Sequence, residues 1–351
     1  MLWLIGLGIY GVRGISLQSL DVLKSCDVVF VERYTSAITD AELHGLDRMI
    51  GHEKGKTNTV LVPRWFVEDG REILHKAQVM EVALLSYGDP LIATTHTELI
   101  VRAVKNSIKV KIIHGVSGIS SLIGETGLHM YKFGRTVTIT SEPQSAATVY
   151  GTIFDNLNLG NHTMVLTEYM DKREEVFFLD PIKALLSLLE AERDVKSGAC
   201  HEETFAVILS RIGLKDEKKI SGKLKSLLAQ DYGKGPHTII VTGPLHFIEI
   251  DAIKALTRNM DEPSDNTSYI HNKSANMIER YVSKARTSLS NARIALENEI
   301  HAQEKARLSE IYNNAEDYIE DAVRFLRTGK PELAILSIGY AEGLIDAARK
   351  N

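Results

Sequence analysis

Short apolar runs alternating with stretches of helical period constrain the fold of this chain most, and the segment around residue 90 shows the pattern at its sharpest. An apolar run at 79–86 ends in Tyr87-Gly88-Asp89-Pro90, and helical spacing resumes over 97–104. Gly-Asp-Pro forces a tight turn, because glycine accepts backbone angles closed to other residues and proline fixes its own. At the carboxyl edge of an open α/β sheet such a turn is where ligands sit, which makes Asp89 a candidate contact. Taken alone, the same tripeptide also serves as a plain structural turn.

The same alternation runs through the first 260 residues. Strand patterns fall at 2–5, 28–32, 82–85 and 110–113, with helical pieces at 17–25, 46–50 and 72–76. That order predicts an α/β domain with a largely parallel sheet, covering 1–113. A second alternating block predicts another α/β domain over 114–259, with strands at 136–139, 163–167, 205–209 and 238–242 and helices at 182–193 and 222–231. Residues 260–266 turn to Asp, Glu, Pro, Ser and Asn and read as a linker. Beyond it Ile278, Val282, Ala285, Leu289, Ala292 and Leu296 recur at three- and four-residue spacing, so 267–351 reads as an all-α three-helix domain. A chain of 351 residues exceeds one ordinary core, in keeping with several domains.

Composition narrows the function classes. With 44% apolar and 25% charged residues the chain is an ordinary globular protein. A formal charge of -5 lacks the basic excess on which general nucleic-acid binding rests, so no direct nucleic-acid partner is expected. Cys26 and Cys200 are too few for a disulfide framework and read as reduced thiols. No apolar run reaches the length that spans a bilayer and the amino terminus lacks a leader pattern, so a cytoplasmic protein without a membrane partner is expected.

Two local patterns invite other chemistry. Gly6-Leu7-Gly8-Ile9-Tyr10-Gly11 has dinucleotide-binding spacing, with Glu32 about 20 residues on. In that motif the third glycine opens the phosphate-binding helix, whereas here Val12-Arg13-Gly14-Ile15 continue a loop and Ser16 has the character of the N-cap. Cys200-His201-Glu202-Glu203 carries metal-capable side chains, but adjacent residues diverge and lack the spacing of a zinc site.

Further segments carry a resemblance. His114-Gly115-Val116-Ser117-Gly118-Ile119-Ser120-Ser121 and Thr126-Gly127-Leu128-His129-Met130-Tyr131-Lys132-Phe133-Gly134 follow the 5–10 loop and the Gly88-Asp89-Pro90 turn, and Gly235-Pro236-His237-Thr238 closes the series. Together, in that order across roughly 1–250, these resemble the diphthine synthases of the tetrapyrrole-methylase-like family of S-adenosylmethionine-dependent methyltransferases. The family fold places two α/β domains around a cleft that holds the folded methyl donor. Carried over by motif, the implied cofactor contacts are Ile9, Asp89, Ile92, Ser117, Gly118, its register neighbour Ile119, Thr167, Ile212 and His237. No metal is implied, and no catalytic residue is assigned. The helical region 267–351, with 334–344 as its most distinctive stretch, resembles a small archaeal helical domain of unknown function.

The resemblance implies methylation of the amino group of an amino-carboxypropyl histidine on elongation factor 2, giving diphthine in diphthamide biosynthesis, with three methyl groups added and a homodimeric enzyme. His96 and His129 are candidates to orient substrate, Tyr131 and Lys132 to meet it, and Arg64-Trp65 to lie in a substrate-facing loop. The competing readings are a corrin-pathway methylase acting on a tetrapyrrole ring and a non-enzymatic donor-binding module. The 260–266 boundary makes one prediction. A chain ending at Asn266 should fold and bind S-adenosylhomocysteine like the whole protein; loss of folding or of affinity, read by circular dichroism and calorimetry, would refute that boundary.

Overall fold

The structure is a computed structural model that describes residues 1–32, 40–51, 58–172, 175–297 and 302–349. The chain divides into two compact units, 1–266 and 267–351. In the first unit, β1 (Leu2–Gly6), β2 (Val28–Glu32), β3 (Asn58–Val62), β4 (Val82–Ser86) and β5 (Val110–Ile113) form one sheet in the order β3-β2-β4-β1-β5. Every pairing in it is parallel. Parallel neighbours need crossovers, and the helices Leu17–Ser25, Arg71–Val79 and His96–Lys105 supply them. Both faces are therefore covered, which explains the near-continuous apolar runs: Leu4, Phe30 and Leu84 pack on one side and Ile5, Val29, Val31 and Leu85 on the other.

β4 and β1 lie side by side at the centre with Gly6 opposite Ser86, so the loops that follow them leave the sheet together. Ser16 caps the first helix by accepting from the Ser19 amide at 3.0 Å, as its sequence position predicts. Between Gly8 and that helix the chain makes only a four-residue 3-10 turn, Gly11–Gly14. The glycine-rich loop therefore does not open a phosphate-binding helix.

The second sheet is mixed. It contains β6 (Val137–Ile139), β7 (Thr163–Thr167), β10 (Phe205–Ser210), β11 (Lys218–Lys223), β12 (His237–Val241) and β13 (Arg258–Asn259), in the order β13-β11-β10-β12-β7-β6. A separate hairpin joins β8 (Tyr169–Lys172) and β9 (Glu175–Phe178). β11 replaces the start of the helix expected at 222–231, and helix remains only at Leu224–Leu227. Its six residues gain partners from β10 on one side and β13 on the other, and that pairing overrides local helical preference.

A 16-residue helix, Pro143–Asn158, was not anticipated in the sequence, although Ala146, Val149, Tyr150, Ile153 and Leu157 bury one helical stripe. Its many Thr, Ser and Asn residues mask the period, while Pro143 in the first turn favours the start.

The second unit consists of the helices Thr267–Glu297, Ala302–Arg327 and Pro331–Arg349. They share one core, in which Ile278, Val282, Leu289, Tyr312, Ile319, Ile338 and Ile345 are buried. Among the described residues, no helix is long and apolar enough to cross a membrane.

One buried charge braces the second sheet region. Glu249, fully buried, accepts from the backbone amides of His129 and His246, both at 2.8 Å, and pairs with Lys132. His162 lies at 3.1 Å from it, and the His162 Nδ1 accepts from the Gly243 amide at 2.8 Å, so the proton of a neutral imidazole sits on Nε2 and points at the carboxylate. Burial alone would push the Glu249 carboxyl up, but Lys132 and the two amides outweigh it and hold it down at about 2. This contribution to stability is present above the ordinary carboxyl range and is lost as pH falls toward 2. Glu249→Ala should lose about 3–5 kcal/mol near neutrality and show a shallower acid limb in denaturant titrations between pH 5 and about 2; a variant that keeps the parental acid limb would exclude Glu249 as its source.

Candidate active site

Three loops at the carboxyl edge of the first sheet come together through bare backbone. Gly8 and Gly88 exchange both backbone hydrogen bonds, at 3.0 and 2.9 Å. A Cβ at Gly6 would lie 2.4 Å from the Gly115 nitrogen and 2.6 Å from the Gly88 oxygen, so no larger residue fits there. The loops after β1, β4 and β5 thus form one surface, and the second sheet faces it across a cavity of about 280 Å³.

All nine positions singled out in the sequence line this cavity: Ile9, Asp89, Ile92, Ser117, Gly118, Ile119, Thr167, Ile212 and His237. Ile9 stands on the loop after β1, and its carbonyl accepts from the Tyr87 hydroxyl at 2.7 Å. Asp89 is 5% exposed and held at both oxygens. Oδ1 accepts from the Leu91 amide at 2.9 Å, while Oδ2 accepts from His114 Nδ1 at 2.8 Å and from the Gly115 amide at 3.3 Å. Ser117 caps the helix Gly118–Thr126 through a hydrogen bond from the Ile119 amide, so that helix begins at the cavity wall with its positive end toward the space.

From the opposite side, Thr167 donates to the His237 carbonyl at 2.9 Å and ties the ends of β7 and β12 together. His237 Nδ1 lies 2.7 Å from the Ser210 hydroxyl. Burial pushes this histidine down to about 4, so it stands neutral at neutral pH. Ile212 sits in the turn 211–213, where a Cβ at Gly213 (φ +85°) would lie 2.9 Å from the Ile9 oxygen. That contact presses the turn of the second sheet onto the loop of the first.

Sequence reasoning missed several wall residues. Tyr87 directly precedes the turn that was singled out, and Arg211 directly precedes Ile212; among the described residues lining the cavity, Arg211 is the one lysine or arginine. Arg211 holds a left-handed backbone (φ 53°), which only the fold discloses. Tyr169 and Phe178 reach the cavity from the β8–β9 hairpin, with ring centroids 4.9 Å apart, and no strand was expected there. His114 opened a quoted motif, yet its partnership with Asp89 spans 25 residues and has no local signature.

Other candidates lie away from the cavity wall. His96 is buried behind the Asp89 loop, 3.1 Å from Glu32 and 2.7 Å from the Pro90 carbonyl. His129 packs against the His246 ring, Tyr131 is almost fully exposed, and Lys132 serves Glu249. Arg64 pairs with Glu68 one helical turn on, and Trp65 is exposed against the edge of Phe66. Cys200 is buried, whereas Glu203 turns outward to Lys223 and Lys225.

The chemistry of the wall is consistent with a donor that combines apolar surface with a few polar groups. Four isoleucines exclude water, and glycine backbone leaves room for close approach: a Cβ at Gly88 or Gly118 would meet nothing nearer than 3.8 Å. A parallel sheet and a mixed sheet, with a shared cavity at their loop ends, make a methyltransferase of the tetrapyrrole methylase type.

Comparison with known proteins agrees. Residues 1–228 match the family described as Tetrapyrrole (Corrin/Porphyrin) Methylases. The diphthine synthase of Methanothermobacter thermautotrophicus is 36% identical over 253 residues, 72% of this chain and 93% of that protein. That of Methanocaldococcus jannaschii is 36% identical over 262 residues, 74% of this chain and all of the relative. A crystal structure of a diphthine synthase superposes with a TM-score of 0.63 at 26% identity, covering 77% of this chain and 100% of that one. The chain belongs to the tetrapyrrole methylase family, within its diphthine synthase branch, and is a methyltransferase. Residues 253–351 match a family described only as a protein of unknown function. The structure assigns 253–266 of that match to the α/β unit and the rest to the helices.

Two glycine substitutions separate packing from occupancy. Gly213→Ala should cost about 1–3 kcal/mol in thermal unfolding, because it combines a strained φ with the Ile9 contact. Gly118→Ala should unfold like the parent yet bind S-adenosylhomocysteine more weakly, since its methyl group enters open cavity. Equal stability in both variants would undo the assignment of Gly213 as the inter-sheet contact.

Proposed function

We propose that this protein uses S-adenosylmethionine to methylate the α-amino group of the amino-carboxypropyl histidine on elongation factor 2, and that it adds three methyl groups to give diphthine. The observation that carries the reading is the convergence of all nine motif positions, drawn from both sheets, on one cavity. The names of the curated relatives support the same product. By the family pattern the enzyme works as a homodimer.

In this reading Ile9, Ile92, Ile119 and Ile212 enclose the donor's apolar surface. Asp89, oriented by His114 and the backbone amides of Leu91 and Gly115, accepts from its hydroxyl or amino groups. When bound, the donor supplies an electrophilic methyl carbon on a sulfonium, and transfer is an in-line displacement. The chain's task is then alignment and exclusion of water rather than covalent help.

The acceptor amine must first shed a proton. A histidine held near pH 4 is too weak a base to compete for it at neutrality, so His237 acts as a neutral wall group and the proton leaves to solvent. After each of the first two transfers the nitrogen sheds a proton and regains its one lone pair, and the third leaves a quaternary nitrogen with no proton to lose, so transfer stops there.

The reading is tested by incubating purified enzyme and donor with elongation factor 2 that carries the unmethylated precursor. Intact-mass spectrometry should show a gain of three methyl groups on that protein. Asp89→Ala should weaken S-adenosylhomocysteine binding about ten- to a hundredfold in calorimetry, as befits loss of a charged hydrogen-bond acceptor. No mass gain with wild type would overturn the substrate, and unchanged affinity in Asp89→Ala would remove its donor role.

A further inference from the structure

Two buried histidines of this protein solve the same problem in opposite ways. At His162 one ring nitrogen meets a backbone N–H and the other a carboxylate, so a neutral imidazole satisfies both. At His96 neither nitrogen meets a donor. Nδ1 lies 2.7 Å from the Pro90 carbonyl, which can only accept, and Nε2 lies 3.1 Å from Oε2 of Glu32. The side chains of His96 and Glu32 are 2% and 8% exposed, so water does not substitute for a missing hydrogen. Both contacts are hydrogen bonds only when the pair carries one proton more than a neutral imidazole beside a carboxylate.

The Pro90 carbonyl gives this proton a link to the active site. It also accepts from the Thr94 hydroxyl at 2.6 Å, so one oxygen ties both ends of the short segment whose Ile92, Ala93 and Thr94 line the cavity. Ala93 within it holds a left-handed φ of 58°, a conformation that a side chain adopts only when its surroundings impose it.

We propose that Glu32 and His96 hold a shared proton that seats the 90–94 wall of the donor site, so that donor affinity falls when this proton is lost. They are positioning residues, since neither lines the cavity. The inference rests on the donor-binding reading above.

Among the described residues, the charged groups around His96 are Glu32 from β2, Glu68 from the helix Arg64–Asp69, Glu98 from its own helix, and Asp89 at the start of the turn. Arg102 stands nearby with its guanidinium on the carbonyls of Glu68 and Asp69. Burial disfavours the imidazolium, but the Glu32 carboxylate and the Pro90 carbonyl outweigh it and hold His96 above its ordinary value. The seat is therefore complete below the ordinary histidine range and is lost as pH rises through that raised value.

The test uses the whole protein and S-adenosylhomocysteine as probe, with affinities measured by calorimetry from pH 6 to pH 10. Glu32→Gln removes the charge yet leaves an amide N–H to meet a neutral His96, so its wall should stay seated at all pH. Wild-type affinity should fall about tenfold more than that of Glu32→Gln over the alkaline range. The probe's own amine titrates alike in both proteins and cancels. Superimposable pH profiles would overturn the proposal, whereas failure of the wild type to bind the probe at any pH would overturn the donor-binding reading beneath it. A second measurement follows the wild type directly: the imidazole nitrogen resonances of His96, identified by their loss in His96→Gln, should change with loss of the pair's proton only above the range in which an ordinary histidine titrates. A change within or below that range overturns the proposal as well.

Discussion

The site depends on a contact between backbones. Gly6, Gly88 and Gly115 meet at the carboxyl ends of β1, β4 and β5, closer than any Cβ would allow. Their loops consequently share one surface, and the Gly8–Gly88 hydrogen bonds lock it. The motif residues of the first sheet's loops are positioned from there: Ile9 three residues beyond Gly6, Asp89 beside Gly88, and Ser117 two beyond Gly115. The second sheet registers against this surface through Gly213, pressed on the Ile9 carbonyl, which also takes the Tyr87 hydroxyl.

Burial and hydrogen-bond partners together set the polar groups of the wall. Asp89 accepts from a donor at each oxygen, His237 is kept neutral by burial, and Tyr87, pushed up to about 12 by burial, keeps its proton for Ile9.

The helical unit follows a different logic. Its core is built from one repeating stripe per helix, with Arg286, Arg293 and Lys284 reaching Glu320, Glu316 and Glu342 on neighbouring helices. These exposed pairs add little stability each, and the buried stripe carries the unit. The Methanocaldococcus jannaschii relative is matched over all of its own length by 74% of this chain.

Periodicity alone disclosed the parallel first sheet, the helix beginning after Ser16 and the helical stripe of Ile278, Val282, Ala285 and Leu289, because these patterns are local: three or four residues in one turn, or two along one strand. The quoted motifs, read as a family resemblance, carried the nine wall positions. The strand at 218–223 and the β8–β9 hairpin were not legible, since their hydrogen bonds come from residues distant in sequence. The same holds for the partners that give the motif residues their chemistry. His114 on Asp89, Gly213 on Ile9 and Glu32 on His96 join segments 25 to about 200 residues apart. A side chain's type is written in the sequence, but its charge state and orientation depend on what folding brings within about 3 Å of it, and that only the tertiary structure decides.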